Sequence, residues 1–498
     1  MVRSSDENNP LMDDSDLHDE PRKVDSKDSS DGERTDDKLQ TSEVISVHSI
    51  VPEYRLYKRR FLGTFALVVL NVVSGMTWPW FGPISNDMVA EFGVTLDEVN
   101  WLGNVMACVY LPVALSVPEI IRRYGIRRCC DLAAACLLIS AWVRYAGTVH
   151  SLSSRGAYGL LFLGQFFAAL AQPVFQVLGP KYSETWFDLK GRTTATMILS
   201  IANPVGGALG QLLSPIVGDT RQSILILGIM STVAAPFVFL ISAAPPTPPT
   251  YSASKKTPGL LSLLRVMFNK GLPTDPPMSI RERMDFTIIF LVFGILASAT
   301  NVFGILTGEI LQPAGYSSDT AGFMGAVLLL SGIVTAIATA PLFDRVFTSH
   351  LAITTKFLVP VLAASWLSLI WAVKPDNTAG LYAICALIGI TSVTMLPVSL
   401  ELACEVTRNA DGSSSLLWFA CNGFAIIFIL GKRALRAGPD ASPPLNMRRA
   451  LIFNGAVVMG ISASIFFLRG RQTRKQVDQE RQQRQSISLP ARGQTTGP

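Results

Sequence analysis

AYGLLFLGQFFAALAQPVFQVLGP, residues 157–180, runs for 24 residues without a charged side chain. As a helix it would be about 36 Å long, enough to cross the roughly 30 Å hydrocarbon core of a bilayer. Eleven further apolar stretches lie on either side of it. The twelve candidate spans are 61–82, 98–121, 129–147, 157–180, 194–217, 222–243, 285–310, 320–343, 351–373, 379–402, 413–431 and 448–468. They take up most of the chain after residue 60, so the sequence predicts an all-α integral membrane protein with no room for a second globular domain. The longest gap, between spans six and seven, divides them six and six, as expected of two pseudo-repeated halves.

The rest of the composition agrees. Charged residues are 16% and mean hydropathy is +0.36, where soluble proteins carry about 25% charge. Seven cysteines occur without a CxxC pair, which argues against a disulfide framework or a zinc site. No GxxxxGK[ST], HExxH or GxSxG motif is present, so ATP-driven transport, metal chemistry and nucleophilic catalysis lack their usual residues. No enzyme activity, cofactor or metal is expected. No basic and aromatic interleaving marks a nucleic-acid surface. The expected surroundings are a lipid bilayer and a small-molecule substrate, with the chain a monomer.

Charge divides the chain into regions. Residues 1–53 hold 15 acidic and 6 basic side chains, and the remainder 22 acidic and 36 basic. The acidic stretch is too polar to offset ordering entropy and reads as a disordered tail. The six-helix halves are then 54–243 and 285–468. A linker loop, 244–284, holds AAPPTPPT and the amphipathic LLSLLRVMFNK, and a basic tail, 469–498, is expected to be disordered. Lys and Arg cluster at 55–60, 122–128, 181–192, 255–283 and 469–475, whereas loops 86–97 and 311–319 have none. By the positive-inside rule both tails and the linker are cytosolic. Lys432, Arg433, Arg436, Arg448 and Arg449 run against that pattern.

Polar residues inside the spans carry the functional information, because an unpaired polar group in hydrocarbon costs several kcal/mol. Gln165, Gln172 and Gln176 are seven and four residues apart and share one helix face. The stripe reads either as hydrogen-bonding glue between helices or as a cavity lining. In span five Asn203 precedes Pro204 and is a cavity candidate, while Gly206 and Gly210 form a small-xxx-small packing pattern. Span one closes with Met76-Thr77-Trp78-Pro79-Trp80-Phe81-Gly82-Pro83. Two prolines there predict an interrupted helix, which membranes tolerate where a cavity is lined. Trp78 and Trp80 read as interfacial belt residues or as an aromatic wall for a cation. Glu401 and Glu405 share a face at the end of span ten. Glu309 lies near the end of span seven, Arg144 near the end of span three, and Asn422 in span eleven.

Several of these segments together resemble one family. They are Val94-Thr95 to Leu102, Tyr110-Leu111-Pro112, Arg123 to Arg127, Ala141-Trp142-Val143-Arg144, Leu163-Gly164-Gln165 and Ala171-Gln172. The longest is Leu396-Pro397-Val398-Ser399-Leu400-Glu401-Leu402-Ala403-Cys404-Glu405-Val406-Thr407. From about Trp78 to Ile427 the chain is similar to the feline leukaemia virus subgroup C receptor and disrupted-in-renal-carcinoma family of solute carriers, within the major facilitator superfamily. The resemblance implies the major facilitator fold and transport of choline or ethanolamine, with haem and a B6 vitamer also attributed to members. Its choline site implies roles for Trp78 and Gln172, which match, and for Asn422, which is shorter than the family's glutamine. A family tyrosine in span seven falls on Thr300, with Phe303 nearby. Asp344-Arg345 keeps the acid–base pair of the superfamily's loop motif, although Arg122 replaces its acidic counterpart.

The sequence-based expectation is therefore a secondary active or facilitative carrier working by alternating access. Its substrate is a small amine-containing or heterocyclic metabolite at Trp78, Gln165, Gln172, Gln176, Asn203, Thr300, Phe303 and Asn422. Glu309, Glu401, Glu405, Asp344 and Arg345 are the gating or coupling candidates. The competing reading is a non-transporting receptor or sensor on a carrier fold. The membrane is expected to be the plasma membrane or a vacuolar or lysosomal one.

Overall fold

Each of the apolar runs folds as a helix. The computed structural model describes residues 54–254, 258–275, 277–345, 351–438, 440–472 and 474–480. The first six crossings are built as follows. Helix α1 is Arg59–Met76, and a 51-residue helical run, Leu96–Ala146, supplies both α2 and α3. That run is broken at Gly125, whose φ of 81° and ψ of 168° no helix contains and few side-chain-bearing residues adopt. Residues before the break form α2 and those after it α3. Helices α4 (Ser154–Trp186), α5 (Arg192–Ile216) and α6 (Thr220–Ala234) complete the first half, α6 running on as a 3₁₀ turn, Ala235–Leu240. The second half comprises α7 (Ile280–Leu311), α8 (Ser318–Arg345), α9 (Leu351–Ala372), α10 (Thr378–Thr407), α11 (Ala410–Ala434) and α12 (Arg448–Ser462).

Local chemistry sets the ends. Thr95 and Glu98 form a reciprocal capping box at the start of α2, and Ser279 and Glu282 repeat it at α7. Helix α1 stops at Met76, earlier than the 61–82 span, because Pro79 and Pro83 cannot donate to a helical ladder and disfavour helical backbone before them. The linker carries two short helices, Tyr251–Ser254 and Leu260–Met267, the second burying Leu260, Leu263 and Val266.

Small residues let α1 and α5 meet at backbone distance. A Cβ on Gly206 would lie 2.0 Å from the carbonyl oxygen of Val72, and one on Gly210 would lie 2.7 Å from that of Met76. The small-xxx-small pair is a packing device here. Large apolar side chains such as Phe65, Leu132, Val233, Phe357 and Ile427 remain exposed on the outside of the bundle, where lipid rather than water meets them.

The disordered tail expected from residue 469 begins too early. The backbone N–H groups of Arg469 and Gly470 donate to Asp285 at 3.1 and 3.0 Å. Residues 474–480 are helical, with Arg474 and Asp478 only 4% and 1% exposed. Buried carboxylates on the membrane helices hold this polar segment in place, a pairing that composition alone does not reveal.

Candidate substrate cavity

Between the halves lies a cavity of about 130 Å³ open to the centre of a water molecule. The first half lines it with Trp78, Tyr110, Gln172, Gln176, Asn203 and Gln211. The second half contributes Phe293, Thr300, Asn301, Phe303, Trp418 and Asn422. No Asp, Glu, Lys, Arg or His is among the described lining residues. The polar part of the surface is thus amides and hydroxyls, set among aromatic rings and aliphatic side chains such as Met106, Leu296, Leu328 and Val393.

Most of the sequence candidates meet here. Gln172 Nε2 donates to Asn203 Oδ1 at 3.4 Å, and Asn203 Nδ2 donates to Asn71 Oδ1 at 3.3 Å. Asn71 Nδ2 in turn donates to the carbonyl of Leu199 at 3.0 Å. This amide relay joins α4, α5 and α1 and leaves Gln172 Oε1 for a ligand. Gln176 Oε1 accepts from the hydroxyl of Tyr110 at 2.7 Å. Asn422 Nδ2 donates to the carbonyl of Trp418 one turn earlier, at 2.9 Å, so its oxygen stays unspent. Thr300 likewise bonds back to Leu296 at 3.1 Å. Phe303 meets Trp366 edge to face, with ring centroids 5.5 Å apart, and Phe293 meets Trp418 in the same way at 5.3 Å.

The two tryptophans of the interrupted α1 end separate. Trp78 lines the cavity, its Nε1 donating to the carbonyl of Gly103 at 3.2 Å. Trp80 is fully buried elsewhere, donating to Ser223 Oγ at 3.1 Å.

Gln165 is not a cavity residue. It shares a face with Gln172 and Gln176, but lies two turns away from Gln172, where α4 packs on α1, α2 and α3. Its Oε1 accepts from Arg144 Nη1 at 2.7 Å, and its Nε2 donates to the carbonyls of Thr77 and Leu102 at 3.1 and 3.3 Å. Of the stripe's two readings, glue holds for this member.

The proposed coupling acids also lie outside the cavity. Glu309 pairs with Arg436 at 3.2 Å on an exposed edge. The side chains of Asp344 and Arg345 lie outside the described residues. Glu401 and Glu405 face the tail. Arg474 Nε donates to Glu405 at 3.0 Å, its Nη1 reaches Glu184 on α4 at 3.3 Å, and its Nη2 binds Glu401. Burial alone would draw a proton off Arg474, but Glu405, Glu401 and Glu184 outweigh it and hold the guanidinium charged well above its ordinary range. Thr196 on α5 donates to Glu401 at 3.2 Å, and Arg192 donates to Asp478 at 3.3 Å. Asp478 also accepts from the hydroxyl of Ser252 in the linker at 2.6 Å. Nearby, Ser415 on α11 donates to the carbonyl of Ala114 on α2 at 2.6 Å. These bonds tie both halves, the linker and the tail together on one face of the bundle. Tyr110, Asn301 and Trp418 were missed as cavity residues, and Asn71 as the partner that anchors Asn203 behind the lining. Asn71 and Asn301, amides inside apolar spans, were the ones with a visible signal.

Two six-helix halves enclosing a largely apolar cavity with a few amides form the architecture of a secondary carrier. The chain matches the Major Facilitator Superfamily over residues 67–430 and belongs to it. It is 27% identical over 458 residues to solute carrier family 49 member A3 of Xenopus tropicalis, covering 88% of this chain and 92% of that protein. It is 25% identical over 413 residues to the choline/ethanolamine transporter FLVCR1 of Felis catus, covering 79% and 70%. Among solved structures, the human organic anion transporter MFSD10 matches with a TM-score of 0.60 at 13% identity, over 82% of this chain and 99% of that one. The last likeness is one of fold. The protein is therefore a multi-pass membrane transporter of a small solute, not an enzyme.

Proposed function

We propose that the solute is a small organic amine of the choline or ethanolamine type, bound between Trp78 and the amides of Gln172 and Asn422. One observation carries this reading: the cavity offers aromatic faces and free amide oxygens but no ionised side chain among the described lining residues. A quaternary ammonium needs no hydrogen-bond acceptor and is attracted by the face of an indole, for about 2 kcal/mol when desolvated. Its hydroxyl group is served by Gln172 or Asn422. Haem fits less well, since the described lining has no histidine for iron and no Lys or Arg for propionates.

The face carrying the Arg474 cluster is the cytosolic one in this reading, because Lys and Arg of the linker and both tails gather there. In this reading the contacts of Arg474 close that face. Transport follows by rocking the halves about the cavity, which must break the bonds of Glu184, Glu401 and Glu405 to Arg474. Glu401 and Glu405 then act as gate ligands.

The test is purified protein in proteoliposomes. Saturable choline flux, competed by ethanolamine, is the expected result. Binding without flux would make the protein a sensor, and neither binding nor flux would remove this substrate class.

A further inference from the structure

We infer that Arg144 and Gln165 are positioning residues that set the indole of Trp78 against the cavity and thereby tune solute affinity. The inference rests on the cavity being the solute site. Arg144 is 1% exposed inside the first half, and its guanidinium has no carboxylate partner among the described residues. It donates to Gln165 Oε1 at 2.7 Å and to Ser140 Oγ at 3.5 Å. Gly164 makes room for its stem, since a Cβ there would lie 2.2 Å from Arg144 Cγ. A buried cation without a counter-charge is expensive, and an apolar residue would pack α3 on α4 at lower cost.

What the arrangement secures is the start of the irregular segment after α1. Gln165 Nε2 donates to the carbonyl of Thr77 and to that of Leu102, at 3.1 and 3.3 Å. One residue further along each chain, Trp78 Nε1 donates to the carbonyl of Gly103 at 3.2 Å. Two adjacent rungs, 77 to 102 through Gln165 and 78 to 103 through the indole, thus brace the same pair of backbones. Regular helix has ended at Met76, so no helical ladder fixes the direction of Trp78. A charged donor on Gln165 Oε1 polarises the amide and strengthens the bonds its nitrogen makes. Arg144 thereby acts on Trp78 through Gln165 without touching the cavity, which it does not line.

The experiment uses the full-length protein labelled with 5-fluorotryptophan, with the Trp78 fluorine resonance assigned through Trp78→Phe. In ligand-free protein, Gln165→Met is expected to move the Trp78 resonance and leave that of Trp80, held separately by Ser223. Choline affinity should fall about tenfold in Gln165→Met, but less than twofold when the same change is made in the Trp78→Phe background. Arg144→Lys, the second variant should the first fail to accumulate, is expected to shift the same resonance in the same direction by less. An unmoved Trp78 resonance in a folded variant overturns the proposal. So does an equal loss of affinity in both backgrounds, because that is general damage rather than positioning. If choline does not bind the wild type, the substrate reading fails, and the ligand-free fluorine comparison still decides the role of Arg144 and Gln165.

Discussion

Trp78 and Gln172 are the side chains on which the solute reading stands, and each makes its own prediction. Loss of a desolvated cation–π contact of about 2 kcal/mol predicts that Trp78→Ala weakens choline about 30-fold in equilibrium binding, with Trp78→Phe weakened less. The uncharged carbon isostere of choline should bind the wild type and Trp78→Ala almost equally; unequal binding would mean that the ring supplies shape rather than charge recognition. Gln172→Ala removes the donor to Asn203 Oδ1 and a ligand contact, and should weaken binding by roughly 1–3 kcal/mol. Unchanged affinity in the folded variant would make Gln172 a packing residue. These residues were visible in the sequence because a large amide or an indole beside proline is conspicuous in an apolar span. Gln165 was just as visible, yet lies off the cavity: periodicity gives the face of a helix, not what stands opposite each turn of it. Trp418 and Phe293 were not visible at all, since an aromatic residue in a span is ordinary.

At the level of elements, the twelve crossings were legible from apolar length, while their ends shifted by several residues, in two places for a clear local reason. Pro79 and Pro83 shortened α1. Gly125 bends a helical run that would otherwise be far longer than a bilayer is thick. The contact of α1 with α5 gives a sharp test of packing. Gly206→Leu drives a side chain into the backbone of Val72, so thermal stability of the purified protein should drop sharply, with overpacking costing about 1–3 kcal/mol or more. Gly207→Ala, one residue on, meets nothing within 4 Å and should leave the melting temperature close to that of wild type. Equal effects would mean that the α1–α5 approach does not limit the fold.

For the whole molecule, the informative feature is the tail segment between the halves, which composition hid because it reads as polar and basic. Breaking a buried ionic network by removing one partner costs roughly 3–5 kcal/mol. Arg474→Ala, which leaves Glu184, Glu401 and Glu405 without their shared cation, is therefore expected to open this face. A cysteine at Ser399, which lines the cavity, should then react with an impermeant maleimide added on the tail side, and should be protected when Arg474 is present. Equal labelling with and without Arg474 would show that the segment does not gate. The segment is also tethered. Asp285 pins the chain at residues 469 and 470, so only a few residues separate that anchor from Arg474. Rebinding is consequently intramolecular, at an effective concentration in the millimolar range for so short a tether. A severed tail could not be replaced by the same peptide supplied free at micromolar concentration. If the segment gates as proposed, lengthening the tether should therefore weaken closure far less than cutting it.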